Sequence, residues 1–217
     1  MSDNPTETSL RRGNRQWQRT RKALLAAGQK VYAGKPADSV TINDIAEEAE
    51  VAKGSFYNHF ADKDAFANEI YAGVHGELEL EISTANSGEL DPAVRVARAL
   101  CVVLRHAQIH PEKLSAFLSL AGRRGADAPL NDGVTRDVTE GLSIGRFNGL
   151  NTEAGVLIVL GLIMETVRRI MACDFVGHPP ALARSIAMAL LRALGTAEAD
   201  AEPIARDAME TILGPAQ

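Results

Sequence analysis

Along most of the chain apolar residues recur three and four positions apart, and the places where that rhythm breaks divide the sequence into helices. Trp17, Leu24, Ala27 and Val31 share one face until Gly34-Lys35-Pro36 ends the run, which predicts a first helix from about residue 16. Thr41 then stands at a cap position with Asp44 three residues on, a capping-box-like pair, and Ile42, Ile45, Ala46 and Ala49 mark a buried face. A break at Glu50-Val51 precedes a short helix over residues 52–60, and another helix opens near Asp62 and runs past Tyr71. Further on, Asp91-Pro92 reads as a cap with proline in the first turn, opening a helix that stops before His110-Pro111. Helices are expected over 113–124, 130–147, 152–175, 181–194 and 202–213, with Gly177-His178-Pro179-Pro180 as the firmest punctuation. Residues 1–14 carry almost no apolar content and read as a disordered arm. No segment reads as a strand, so the fold class is all-α: an N-terminal three-helix domain over 15–62 and a larger helical domain over 63–217.

Composition narrows the functional classes. A chain of 217 residues, 46% hydrophobic, has the material for a sizeable core. Two cysteines, Cys101 and Cys173, are too few for a disulfide framework and point to a reducing cytoplasm. The longest apolar run, Ala154 to Met164, is about half of the ~20 residues a membrane span needs. The net charge of −5 argues against a general nucleic-acid coat, yet residues 11–35 hold eight cations and no acid. That end is either a surface for DNA or a solvated basic face. There is no glycine-rich phosphate loop on a strand, no nucleophile elbow and no acid/base pair, so no enzyme is expected.

Two short helices joined by a tight turn form a unit whose second helix fits the major groove, about 12 Å wide. On that helix, Lys53-Gly54-Ser55-Phe56-Tyr57-Asn58-His59-Phe60, the polar side chains can donate to phosphates or base edges, Gly54 permits close approach, and Phe56 and Phe60 anchor the helix. The plain alternative is that Tyr57, His59 and the phenylalanines simply pack a small helical domain. The whole run from Thr41 to Lys63 closely resembles the DNA-binding signature of the tetracycline-repressor (TetR) family. The resemblance implies a homodimer of about nine to ten helices in a bacterial-type cytosol, on the nucleoid when bound. It also implies a transcriptional repressor released from a palindromic double-stranded operator by a small-molecule effector. By position, Thr41, Lys53, Gly54, Tyr57, Asn58, His59 and Lys63 would touch DNA, mainly phosphates, while Ala52 and Ser55 would lie where bases are read. Two residues depart from the pattern: Glu50 replaces the usual turn glycine, and Ala52 replaces a frequent Ser or Thr. Arg11, Arg12 and Arg15 form either a minor-groove arm or a solvated tail.

The helices over 152–175 and 181–194 are the expected dimer seam, the first because it is apolar nearly all round; an internal core pair is the alternative. For an effector pocket, Cys101, Phe117, Phe147 and Met164 offer apolar wall and Arg105, Glu165 and Arg168 polar contacts, with His106 beside them. No cofactor or metal site is expected. A metal-responsive regulator remains a further reading on His106 with His110 and on Cys173, Asp174 and His178. So does a dimeric DNA- or partner-binding module without small-molecule control.

Overall fold

The computed structural model describes residues 5–121 and 132–214, with side chains from residue 13 onward. Residues 1–4 of the expected arm and 122–131, where one expected helix ends and another begins, lie outside it. Ten α-helices are described: α1 (Pro5–Gly34), α2 (Ile42–Glu48), α3 (Lys53–Tyr57), α4 (Lys63–Ala85), α5 (Pro92–Ile109), α6 (Pro111–Ala121), α7 (Asp132–Ser143), α8 (Thr152–Met171), α9 (Pro179–Ala193) and α10 (Glu198–Leu213). One 3-10 turn, Ala37–Ser39, precedes α2, and no strand occurs among the described residues. The fold is all-α, as the periodicity implies. Helix α1 begins at Pro5, inside the stretch read as an arm.

The chain divides into two compact units, 1–74 with 112–123, and 75–111 with 124–217. The division falls inside α4 and brings α6 into the first unit, whereas the sequence reading placed the boundary at residue 62. The reason is packing within the first unit. Phe66, Ala67, Ile70, Tyr71 and Val74 of α4 are all buried, and Tyr71 stacks on Phe117 of α6 with ring centres 4.5 Å apart. Helix α1 reaches α4 at Gly28, where a Cβ would collide with the Phe66 ring and Ile70 Cδ1. Lys30 pairs with Glu48 at 3.2 Å and Lys35 with Asp44 at 2.7 Å, tying α1 to α2.

In the second unit α5 is the central helix, and it packs against α7, α8, α9 and α10. Asp91 caps it by accepting from the Ala93 amide at 2.9 Å, with Pro92 in the first turn. Arg146, just past α7, donates to both oxygens of Asp91 at 3.0 and 2.8 Å and to Asp200 of α10 at 2.6 Å. Hydrogen bonds to those two carboxylates hold the Arg146 guanidinium above its usual range. Three helix boundaries differ from expectation. Helix α7 stops at Ser143 rather than near 147, because the chain turns through Gly145 at φ 73°. Helix α8 stops at Met171 rather than 175, where Ala172 becomes extended. Helix α10 starts at Glu198 rather than 202: Pro203 sits in its second turn, sacrificing one backbone bond instead of marking the first turn. No helix among the described residues is long and apolar enough to cross a membrane.

Candidate nucleic-acid interface

The helix-turn-helix is built from α2, a turn at residues 49–52 and α3. Thr41 caps α2 through a full capping box: its hydroxyl accepts from the Asp44 amide at 3.2 Å, and the Thr41 amide donates to Asp44 Oδ2 at 2.8 Å. The Lys35 ammonium and the Thr41 donors hold the Asp44 carboxyl down at about 2, from 3.8. A carboxyl depressed in this way supports the fold above its ordinary titration range and loses that contribution as pH falls through the folded value. Carbon-detected NMR titration should therefore place the Asp44 midpoint near 2, well below an unpaired aspartate.

Helix α2 ends in a Schellman arrangement. The Val51 amide donates to Ala46 O and the Glu50 amide to Glu47 O, both at 3.0 Å, with Glu50 between them in the left-handed region at φ 54°. Among the described residues it is the non-glycine at positive φ. A side chain there costs on the order of 1 kcal/mol, which glycine avoids at some entropic expense. Glu50→Gly should raise stability by roughly 0.5 kcal/mol, read from chemical denaturation midpoints at constant slope. Ala52, the N-cap of α3, makes no side-chain cap bond, so the second departure leaves that five-residue helix uncapped.

Helix α3 is held from behind by aromatic packing. Phe56 is fully buried, 5.4 Å from Phe60 and 5.2 Å from Phe66 between ring centres, and Phe60 meets Phe66 edge-on at 4.7 Å. The opposite face is open: Ala52, Lys53, Gly54 and Asn58 are exposed, Ser55 is half-buried, and Tyr57 keeps 55% of its surface. A Cβ on Gly54 would meet nothing within 4 Å. His59 is half-buried against Trp17, ring centres 4.7 Å apart. Burial, and secondarily the Arg21 charge, lower its pKa below 6.5. Its Nδ1 is buried without a hydrogen-bond partner, which leaves Nε2 as the ring nitrogen that can reach outward. Lys63, read as a phosphate clamp, donates to Val40 O at 2.8 Å, locking the start of α4 to the segment before α2. Two of its three protons stay available. Asp62 caps α4 by accepting from the Ala65 amide at 2.7 Å.

Sequence reasoning counted Arg21, Lys30 and Lys35 within the basic end, but each is paired with an acid. Arg21 grips both oxygens of Glu69 at 2.6 Å and lies over the Phe60 and Trp17 rings. Acids 9, 18 and 48 residues away carry no local signal.

Of the seven residues proposed for an effector, Phe117 belongs to the first unit and the other six to the second. Cys101 is fully buried on α5, and burial pushes its thiol up to about 12; Cys173 is exposed. Arg105 pairs with Glu81 at 3.5 Å, Phe147 is buried over Gly141, Met164 is half-buried, and Glu165 and Arg168 form an exposed pair at 3.3 Å on α8. The second unit instead contains a cavity of about 270 Å3 lined by Glu79, Asn86, Arg95, Arg136, Asp137 and Glu140 among others, and by none of those seven. Arg95 donates to Asp137 there at 3.0 Å; burial raises the Asp137 carboxyl although Arg95 opposes it. His106 is buried with Nδ1 2.9 Å from Glu81 Oε1, and its ring lies 4.9 Å from that of His110. Among the described residues no group of three or more His, Cys, Asp or Glu is placed to hold a metal.

Residues 24–70 match the family model described as bacterial regulatory proteins, tetR family. The HTH-type transcriptional repressor DhaR of Mycobacterium sp. (strain GP1) is 35% identical over 75 residues, 35% of this chain and 38% of DhaR. The chain spans less than half the length of the curated relatives it first matches, 38%, 34% and 47%. Similar folds include RolR in complex with resorcinol, with a TM-score of 0.59 at 22% identity over 88% of this chain and 95% of that one. AibR in complex with isovaleryl coenzyme A and operator DNA has a TM-score of 0.66 at 12% identity over 79% and 98%. The helix-turn-helix segment thus matches the tetR family of bacterial regulatory proteins, and the all-helical fold is shared with these solved structures.

Proposed function

We propose that the protein is a dimeric, sequence-specific DNA-binding repressor whose hold on a palindromic operator is weakened by a small-molecule effector. The observation that carries this reading is the two-sidedness of α3. Phe56 is fully buried behind it, while Lys53, Gly54, Tyr57 and Asn58 stand open in front, a donor-rich face with room for a groove. Thr41, Ser55, His59 through Nε2, and Lys63 would flank that face, and Ala52 would offer a methyl to a base. DhaR, named as a repressor, and AibR, described with operator DNA, support the same reading.

Dimerisation through α8 and α9 is supported by what α8 leaves uncovered. Gly155, Val159, Ile163 and Val167 form its buried stripe, yet Leu157 is 55% exposed, Gly161 is exposed, and Leu160 and Met164 are half-buried. An apolar surface of this kind is ordinary once a second copy covers it. Leu157→Glu should convert a dimer to monomer at micromolar concentration in sedimentation velocity, with helicity unchanged. For the effector, the cavity of the second unit offers space, with Arg95 and Asp137 beside Ile82 and Val134 in its wall, and RolR was solved with resorcinol. An effector acts only through its different affinity for DNA-competent and incompetent dimers.

The test is selection of duplexes from a random pool by the full chain, with Tyr57→Ala alongside at one stated salt concentration. An enriched palindrome that the variant fails to recover supports the reading, whereas identical unenriched pools overturn it.

A further inference from the structure

The cavity of about 270 Å3 is lined by the later part of α4, by α5 and by α7, all within the second unit. It has room for roughly nine waters, or for a small organic molecule in their place. Its charged lining is unbalanced, with the carboxylates of Glu79, Asp137 and Glu140 set against the guanidiniums of Arg95 and Arg136. Arg95 is already engaged: Nε donates to Asp137 Oδ1 at 3.0 Å, Nη2 to Glu140, and Nη1 to the Glu89 and Leu90 carbonyl oxygens at 3.3 and 3.1 Å. Arg136 is exposed and 3.9 Å from Asp137, where an ion pair contributes little. Asp137 is only 8% exposed, and burial lifts its carboxyl in spite of Arg95, so the two guanidiniums do not offset its desolvation. Asn86 adds a second unmet acceptor. Its side-chain amide donates to Arg95 O at 3.2 Å, which fixes its orientation and leaves Oδ1 buried without a hydrogen-bond partner. Such an atom costs free energy until a donor reaches it. Glu79 has His75 at 3.7 Å and lies against Gly133, where a Cβ would come within 3.2 Å of its Oε2. The cavity thus offers acceptors and negative charge, beside an apolar wall of Ile82, Ala99 and Val134.

We propose that this cavity binds a small organic cation, an ammonium or amidinium on a compact apolar body, with its N–H donors towards Glu79, Asp137 and Asn86 Oδ1 and its body against Ile82, Ala99 and Val134. As a statement of the effector's class, the inference rests on the regulatory reading above; as a statement of what binds, it rests on the cavity. A cation supplies both things the lining lacks, a charge to offset Asp137 and donors for oxygens that have none. An anionic ligand would enter among three carboxylates, with the exposed Arg136 as the cation left to meet it among the described lining residues. A purely apolar ligand would leave Asn86 Oδ1 unpaired and exclude water from Asp137 as well.

The experiment is isothermal titration calorimetry of the full chain with probes of one shape and different charge: phenethylamine, which is protonated at neutral pH, phenethyl alcohol and hydrocinnamate, with benzamidine as a planar cation. One of the two cations should bind with a Kd below about 1 mM, and at least about 10-fold more tightly than the alcohol or the carboxylate. Glu79→Gln should weaken that cation about 10-fold, because it removes a charged acceptor. Glu79 is half-buried and takes no part in the Arg95 bonds, so the variant should melt as wild type does. Silence from both cations, equal or tighter binding of the alcohol or the carboxylate, or an unchanged Kd in Glu79→Gln overturns the proposal. Adding the bound cation to the protein on its selected duplex, followed by fluorescence anisotropy, separates the two readings. Release from DNA supports both; binding without release keeps the cation site and removes its role in regulation. If selection enriches no duplex, the regulatory reading falls, and calorimetry still decides the site.

Discussion

Replacing Gly54 with leucine should leave the chain as stable as before and reduce its affinity for the selected duplex on the order of 100-fold, about 2.7 kcal/mol. The two effects come from different sides of one position. Within the protein, a Cβ at Gly54 meets nothing, and leucine is the better helix former by up to about 1 kcal/mol. Towards the groove, a leucine side chain would hold the α3 backbone away from phosphates and base edges and lengthen every contact made by Lys53, Tyr57 and Asn58. Thermal melting and fluorescence anisotropy on the same preparation would read the two quantities separately. Undiminished binding would mean that DNA does not approach α3 at Gly54.

The largest loss of stability is expected from Gly195→Ala, about 2 to 4 kcal/mol, a fall in Tm of roughly 5 to 15 °C. Helix α9 ends as α2 does, with the Thr196 amide donating to Leu191 O and the Gly195 amide to Arg192 O, each at 3.0 Å. At this position, however, the left-handed residue is glycine, at φ 88°. A Cβ would strike the Asn148 carbonyl oxygen and lie 2.8 Å from the Asn148 amide nitrogen. That amide donates to Leu194 O at 3.0 Å, and the Asn148 side chain donates to Gly195 O at 2.8 Å. Alanine would thus push apart the loop before α8 and the end of α9, whereas Glu50 has only its own backbone strain to bear. Heat denaturation followed by circular dichroism checks the prediction, and a shift below about 2 °C would contradict it.

What could be read in the sequence was local. Thr41 with Asp44, Asp91 with Pro92 and the aromatic pair Phe56 and Phe60 act over one to four residues, and the structure uses each of them as its spacing implies. The positive φ at Glu50 was also legible, as a departure from a family pattern whose geometry demands it. What could not be read depends on residues far apart in the chain. Arg146 engages Asp91 and Asp200 at separations of 55 and 54 residues, and Arg95 engages Asp137 across 42. No periodicity announces such pairs, and the cavity that Arg95 and Asp137 border has no signal in the sequence. Lys63 shows the same limit at one residue: a motif names it, but only the fold reveals that it already holds Val40.

The contrast between the two cysteines gives the native protein a single chemical handle. Cys101, sealed inside α5 and reluctant to ionise, is closed to alkylating reagents while the fold persists, whereas Cys173 stands in the open two residues beyond α8. One equivalent of a nitroxide or fluorophore should therefore enter each unmodified chain, and a second only after unfolding. Two copies labelled in this way carry one probe apiece beside the proposed seam. Pulsed electron spin resonance on the wild-type protein would then report the spacing of α8 across the pair, and its change when DNA or a small molecule is added, without any engineered residue.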